Sequence, residues 1–399
     1  MKHAPDTEDI PYGVKVITAV TSIRWVGWGF AEALIPVFIY SFVHSYAQAG
    51  LLNSTYDLAF IIALPLVGVI ADRSRATMLI LIGLLMYLLV GTSYLLAGVT
   101  GAVIFIVLAR SVNGVAYAFD GVGRNTCIRR HASETKLATA FGYLDSIANF
   151  SWIAASFAGI FLIKYFSIAQ LLFLITPTAL IAIYILIRFR NKHREERSDS
   201  ERARVQYSSF FRELGLWDWK LKSLLLFSFF ISFSGAIISF FLPIQAFIKG
   251  DGLGLVIIMG IVVTIPSVLG WRLGKLFDGK GTKIFTQSLL LFSALIFSLV
   301  FWQQYVWQLI VLFLVSLILE LLSLGTNEMV TEHAQPEHFG RVDSIMRSVA
   351  DFGSMLGPLT IGIIMDAYGV PVAYCILGTI ILALAIVFYY TINSDKRKK

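Results

Sequence analysis

The chain has 399 residues, of which 57% are hydrophobic and 14% charged. This composition excludes a water-soluble globular protein, because no soluble core could bury so much apolar surface, and it predicts a chain embedded in a lipid bilayer. The formal net charge of +7 is explained below by membrane topology and needs no nucleic-acid partner, and the two cysteines exclude a disulfide framework and a metal-ligand cluster. We therefore expect no metal and no cofactor.

Apolar stretches long enough to cross a membrane follow one another along the whole chain. A hydrocarbon core of about 30 Å takes roughly 20 helical residues to cross, and none of the stretches alternates apolar and polar residues as the strand of a membrane barrel would. The sequence predicts an all-α polytopic membrane protein with twelve transmembrane helices, near 15–40, 48–71, 77–98, 102–122, 138–163, 168–188, 222–248, 253–276, 284–302, 306–328, 343–366 and 371–391.

One connection is long and polar, and it divides the chain. It is rich in Arg, Glu and Ser, whereas every other connection is short. We expect an N-terminal six-helix bundle over 1–188, a cytoplasmic linker over 189–221 and a C-terminal six-helix bundle over 222–399. External connections are too short to form a further domain, so function is expected within the membrane.

A short sequence repeat relates the two halves. The heptapeptide 141–147, FGYLDSI, returns 198 positions later at 339–345 as FGRVDSI, and Gly159 falls opposite Gly357 at the same offset. A membrane protein built from two copies of one half is usually a transporter. The repeat therefore predicts two pseudo-symmetric bundles with a site between them.

Lysine and arginine are distributed unevenly between the two faces of the predicted bundle. Of the 32 such residues, 26 fall on the side that carries both termini, Lys164 and Lys249 fall on the other side, and four lie within spans. Positively charged loops resist translocation. The sequence predicts a multi-pass protein of the cell's inner (plasma) membrane with both termini in the cytoplasm.

Two loop segments and one span carry a family resemblance. The segments 68–75, GVIADRSR, and 274–283, GKLFDGKGTK, each place a helix-end glycine four residues before an aspartate in a cytoplasmic turn. Both resemble the loop signature of the major facilitator superfamily. The stretch 108–114, LARSVNG, resembles a second signature of that family, and 353–358, GSMLGP, resembles its antiporter signature, although in antiporters that motif belongs in the fifth span.

The resemblance covers the whole chain and implies a secondary transporter rather than an enzyme. It also implies that spans 1, 4, 7 and 10 line a central cavity while spans 3, 6, 9 and 12 lie outside. Spans 3, 6, 9 and 12 carry no Asp, Glu, Lys or Arg within their apolar stretch. A small-molecule substrate, protons and the lipid bilayer are the expected partners, and we expect a monomer.

Charged side chains at bilayer depth are costly and mark the functional interior. In the first span Arg24, Trp28 and Glu32 recur at helical spacing, which holds them close to one face. With Arg110 and Glu320 they are the predicted substrate-binding residues. For Arg24 an alternative stays open, an internal ion pair with an acid that only stabilises packing.

Three acids within the spans are candidates for proton coupling. Glu320 lies deep in the tenth span with no obvious partner on its own helix, and a structural ion pair with Arg24 or Arg110 is its alternative role. Asp57 in the second span is the other main candidate, with a hydrogen bond to nearby Ser or Tyr as its alternative. Asp351 in the eleventh span completes the set.

Charged residues at the cytoplasmic ends of the spans are predicted to form latches between the bundles. If the family packing holds, the loop after span 2 lies against span 11 and the loop after span 8 against span 5. Static surface pairs are the alternative. The predicted gating residues are Asp72, Arg73, Arg75, Asp145, Asp278, Lys280, Lys283, Asp343 and Arg347.

The sequence predicts a transporter driven by an ion gradient, since no nucleotide-binding loop is present. Glu32 and the aromatic residues of the first span favour export of a drug or metabolite against protons, whereas Arg24 and Arg110 suit a proton symporter or uniporter for a small polar solute such as a sugar or organic anion. A polytopic membrane enzyme or a receptor that does not transport remains the alternative of another class.

Overall fold

The structure is a computed structural model, and it describes residues 10–132, 137–192, 217, 219–268, 281–301, 304–333 and 339–396. These residues are almost entirely helical. In chain order the helices are α1 (Tyr12–Gly29), α2 (Ile35–Val43), α3 (Tyr46–Arg73), α4 (Ala76–Thr100), α5 (Ile104–His131), α6 (Leu137–Leu162), α7 (Ile168–Phe173), α8 (Ile175–Lys192), α9 (Trp219–Ile248), α10 (Leu253–Val268), α11 (Gly281–Phe301), α12 (Tyr305–His333), α13 (Phe339–Tyr368) and α14 (Val370–Lys396).

The predicted all-α membrane fold is confirmed. Within the described ranges, eleven helical segments are long and apolar enough to cross a membrane, and α10 adds a shorter apolar helix. The first span is formed by α1 and α2 together, and the sixth by α7 and α8. Most of the predicted linker, 189–221, lies outside the described residues.

The helices pack as two bundles joined along two seams. Helices α1 to α8 pack mainly on one another, and α9 to α14 do the same. Between the bundles, α3 packs on α13, and α6 packs on α10. These are the pairings of spans 2 with 11 and 5 with 8 that the family resemblance implied.

The first span is broken where the helical spacing predicted a continuous helix. After α1 ends at Gly29, Ala31 takes φ −150° and ψ 6°, and residues Glu32–Leu34 form a single 3₁₀ turn before α2. Pro36 has no amide hydrogen, so the α-helical bond to the carbonyl of Glu32 cannot form there. The break takes Glu32 out of the continuous helix that it was predicted to share with Arg24 and Trp28.

Equivalent glycines set the packing of α6 on α1 and of α13 on α9. A Cβ atom at Gly159 would collide with the carbonyl oxygen of Phe30, and one at Gly357 would lie about 2.5 Å from the carbonyl oxygen of Phe233. Only a residue without a side chain allows backbones to approach so closely. The repeat in the sequence is therefore also a repeat in the packing.

Candidate functional site

A buried ion-pair network holds Arg24 in the N-terminal bundle. Arg24 Nη2 lies 3.3 Å from Asp120 Oδ2, and Arg124 Nη1 lies 3.5 Å from the same oxygen. Arg24 Nη1 also donates to the hydroxyl of Tyr87 at 3.4 Å. Arg24 and Asp120 are 3% and 1% exposed, so each charge depends on the other for its compensation. The acid that pairs with Arg24 is thus Asp120 of α5, and neither Glu32 nor Glu320.

Arg110, one of the predicted substrate-binding residues, is bound by a neutral group. Its Nη2 donates to Oδ1 of Asn53 at 2.7 Å and to the carbonyl oxygen of Asn53 at 3.2 Å. Its guanidinium lies 4.7 Å from the ring centroid of Tyr56, a cation–π distance. Its Nε is buried without a hydrogen-bond partner, and no described acid lies within ion-pair distance of it.

Glu32 projects from the 3₁₀ turn and is held from the neighbouring helix. Trp152 of α6 donates its indole N–H to Glu32 Oε2 at 2.6 Å. The side chain of Trp152 is buried, whereas Glu32 is exposed to the interior space of the bundle. The tryptophan therefore fixes the direction of the carboxylate without enclosing it.

These charged groups surround one cavity in the N-terminal bundle. Its volume is about 280 Å³. Aromatic rings make up most of its wall, with polar groups between them. The lining residues are Arg24, Trp25, Trp28, Glu32, Tyr56, Tyr87, Arg110, Asn113 and Tyr117.

A second cavity of about 440 Å³ lies between the two bundles. Trp25 and Glu32 line both cavities, so the two spaces meet at Glu32. Among the described residues, the C-terminal bundle contributes hydroxyl and apolar side chains to the wall and no charged ones. The lining residues are Trp25, Glu32, Ala33, Pro36, Asn149, Trp152, Ser239, Pro243, Met259, Gly260, Val263, Thr264, Ser267 and Leu312.

The other predicted acids lie apart from both cavities. Glu320 is half-buried in α12 and lines neither cavity. Asp57 of α3 and Asp351 of α13 are partly buried on helices of opposite bundles, and they are close enough to interact electrostatically. Asp57 also interacts with Arg110, and Asp351 with Arg347.

Only three of the predicted gating side chains fall within the described part of the chain. Arg75, Asp145 and Arg347 are exposed, and Asp145 is close enough to Arg124 to interact with it. The residues Asp278 and Lys280, and the side chains of Asp72, Arg73, Lys283 and Asp343, lie outside the described residues. The predicted latches therefore remain predictions.

At the end of the bundle opposite the termini, the two bundles are joined by a carboxylate that the sequence did not single out. Asp366, at the end of α13, accepts from the Ser45 hydroxyl at 2.6 Å and from the amides of Tyr46 and Ala47 at 3.0 and 2.9 Å. It thus caps the N-terminus of α3, where a negative charge is favourable. We call this contact the distal seal. The cavity between the bundles lies on the side of the seal that faces the termini.

Sequence reasoning missed three residues here, namely Asp120, Trp152 and Asp366. Asp120 lies two residues before the predicted end of the fourth span, where an acid could equally face water. Trp152 and Asp366 act on residues more than a hundred positions away. A charge count within α5 could have found Asp120, but neither of the other two gave a local signal.

Comparisons with known proteins agree with this architecture. The sequence profile of the Major Facilitator Superfamily matches residues 17–342 and 282–399. The structure of the nucleoside transporter NupG superposes with a TM-score of 0.76 at 14% identity, covering 95% of this chain and 98% of that one. A bacterial homolog of the human lysosomal transporter Spinster, in an inward-facing and occupied conformation, gives 0.71 at 15% identity over 95% and 96%. No curated protein matches the sequence.

Proposed function

This chain belongs to the Major Facilitator Superfamily, and we propose that it exchanges a small organic solute for protons across the membrane by alternating access. The observation that carries the proposal is the cavity between the bundles, which is lined by both of them, while the distal seal joins the same two bundles at the end opposite the termini. Sites of secondary transporters lie at such interfaces between repeats.

Arg110 supports recognition of an anionic group on the solute. The guanidinium is held by Asn53 and lies over Tyr56, but no described carboxylate lies within ion-pair distance of it. A cation without an ion-pair partner at bilayer depth is costly, and a planar guanidinium matches a carboxylate or phosphate. Arg24, in contrast, already has Asp120 as its partner, so we assign it a supporting role.

Access to the site alternates when the two bundles rock about it. In the observed state the distal seal is formed, so the cavity would be reached from the face that carries the termini. When that face closes, the predicted latches would form between the loops and helix ends that carry Arg75, Asp145 and Arg347. With both termini in the cytoplasm of a cell whose inner (plasma) membrane holds the protein, solute would enter from the cytoplasm, which suits export.

Asp57 and Asp351 support a proton-coupling step at the moving interface. Two carboxylates that interact electrostatically across α3 and α13 disfavour the state in which both are charged, because like charges repel. A rocking movement that separates these helices would change their affinity for a proton. Glu320, which has no hydrogen bond or ion pair to any described residue, remains the third candidate.

The test is proton movement in liposomes that contain the purified protein and a pH-sensitive dye. We expect an added solute to drive a proton signal in the wild type. The variants Asp57→Asn, Asp351→Asn and Glu320→Gln are compared, and the residue that carries the proton is the one whose loss abolishes the proton signal but leaves solute exchange intact.

The control is Asp251→Asn, which removes a carboxylate from the short connection between α9 and α10 and should change nothing. Solute uptake without proton movement in the wild type would contradict coupling and indicate a uniporter. The absence of uptake for every solute that stabilises the protein would contradict transport itself.

A further inference from the structure

Arg110 and Glu32 carry opposite charges in one cavity but form no ion pair with each other. Both line the cavity of the N-terminal bundle, yet no ion pair joins them, and no other described residue forms an ion pair with either. Arg110 is 8% exposed and its buried Nε lacks a hydrogen-bond partner. Glu32 uses Oε2 to accept from Trp152.

Their anchors explain why they stay apart. Asn53 of α3 holds the guanidinium of Arg110, and Trp152 of α6 holds the carboxylate of Glu32. The anchors belong to different helices of the bundle, and in the observed state each holds its charge in place without an ion pair to the other. A cavity with fixed opposite charges is complementary to a ligand that carries both charges itself.

We infer that the transported solute is a zwitterion, with a carboxylate or phosphate bound by Arg110 and an ammonium group bound by Glu32. This inference rests on the proposed function and adds the class of substrate. Trp28 lines the same cavity as Glu32 and favours an ammonium group there, because the face of an indole attracts cations; the ring of Trp25 already has the guanidinium of Arg24 over it at 5.7 Å.

Solutes with a single charge fit the cavity less well. An anion would leave the charge of Glu32 in the same cavity without a partner, and a cation would leave Arg110 in that position. Asp57, one helical turn beyond Asn53, interacts with Arg110 but does not line the cavity. Asp57 therefore reduces the net charge near Arg110 without occupying the place of a ligand.

The second cavity indicates where the rest of the solute lies. It opens from Glu32 and is lined in the C-terminal bundle by uncharged residues such as Ser239, Met259 and Thr264. The uncharged part of the solute would thus extend from its ammonium end into the space between the bundles. A zwitterion with an apolar or weakly polar substituent next to its ammonium group fits both cavities.

The test measures binding of matched compounds to the full-length protein in detergent, by thermal unfolding and by intrinsic tryptophan fluorescence. One set shares a phenylpropyl-like scaffold, with phenylalanine, phenethylamine and 3-phenylpropionate as zwitterion, cation and anion. The other set distinguishes phosphate from carboxylate, with hexylphosphocholine, hexyltrimethylammonium and hexyl phosphate. We expect the zwitterion of at least one set to bind about tenfold more tightly than both of its relatives that carry charge of one sign only.

Two variants assign the charges. Arg110→Gln should abolish the preference for the zwitterion over the cation, and Glu32→Gln should abolish the preference over the anion. Asp251→Asn, in the connection between α9 and α10, removes a carboxylate that lines neither cavity, and as the control it should keep both preferences. Circular dichroism and the unfolding midpoint verify that each variant is folded.

Three results would overturn the inference. In both sets, a member with charge of one sign could bind as tightly as the zwitterion; the preferences could survive in both charge variants; or none of the six compounds could bind. The proposed function is tested by a different result. If a purely anionic or cationic solute drives proton movement in liposomes, coupled transport stands and the zwitterion inference falls.

Discussion

In the N-terminal bundle Gly159 brings α6 against α1 at Phe30, and in the C-terminal bundle Gly357 brings α13 against α9 at Phe233. The two contacts are equivalent in the repeat. The buried polar groups of the bundles, however, differ in kind. The two bundles thus share this packing contact, whereas the side chains around the site differ between them.

The two bundles differ most in the charge of their buried polar groups. The N-terminal bundle buries Arg24, Asp120 and Arg110, whereas buried polar contacts described in the C-terminal bundle are neutral, such as Gln245 Nε2 donating to the Tyr374 hydroxyl at 2.7 Å. The comparison supports the proposal that the N-terminal half recognises charge on the solute. Substitutions in the shared packing should affect both halves alike, and substitutions of charge should not.

The largest expected effect comes from breaking the buried ion network. Arg24→Gln leaves Asp120 with Arg124 as its remaining cation, and removal of one partner of a buried pair costs about 3–5 kcal/mol. We expect the free energy of unfolding, measured by denaturant titration in detergent micelles, to fall by that amount. The double variant Arg24→Gln/Asp120→Asn should recover more than half of the loss. A single variant as stable as wild type would show that the network does not stabilise the bundle.

The next prediction is that equivalent glycine substitutions destabilise the two bundles by similar amounts. Gly159→Val and Gly357→Val each force a side chain into a neighbouring backbone, and overpacking of this kind costs about 1–3 kcal/mol. The unfolding midpoints of the two variants should fall by similar amounts. Gly142→Ala is the control, because a Cβ at Gly142 meets nothing within 4 Å. If only one of the two valine variants lost stability, the packing repeat would not be energetically symmetric.

The smallest expected effect concerns the distal seal. Asp366→Asn keeps the shape of the side chain but removes its charge, and we expect the seal to weaken by about 1 kcal/mol, or roughly fivefold in the population of the state open at that end. Spin labels at Tyr165 and Tyr368, exposed residues of opposite bundles, report the separation by electron–electron double resonance.

The labels are introduced as Tyr165→Cys and Tyr368→Cys in a background without Cys127 and Cys375. Asp251→Asn is the matched control, a carboxylate at the same end with no described hydrogen bond to the N-terminal bundle. A distance distribution that Asp366→Asn leaves unchanged would show that the seal does not hold the two bundles together.

The fold could be predicted from the sequence because its determinants are local or periodic. Span length follows from apolar runs, and the repeat at 141–147 and 339–345 correctly indicated that Gly159 and Gly357 occupy equivalent places. The break before Pro36 was missed, since a proline within an apolar run is tolerated in many membrane helices. The pairing of spans 2 with 11 and 5 with 8 came from the family resemblance.

The site could be predicted only in part, because burial shows where a charge is costly but does not show its partner. Arg24, Glu32 and Arg110 were found from their depth in the bilayer, and all three line one cavity. That Arg24 is compensated by Asp120 while Arg110 is not depends on how α1 and α5 are oriented in the bundle. The proton-coupling residues stay a prediction, as does the role of Glu320.

The most direct test of whether the N-terminal bundle recognises the charge of the solute is solute counterflow in liposomes, using the compound that gives the proton signal. Arg110→Gln should reduce the rate about 100-fold, since removing one partner of a desolvated charge pair costs several kcal/mol. Thr264→Ala, in the uncharged wall of the C-terminal bundle, should reduce it less than about fivefold. Counterflow at the wild-type rate in Arg110→Gln, or equal loss in both variants, would contradict the assignment of charge recognition to the N-terminal bundle.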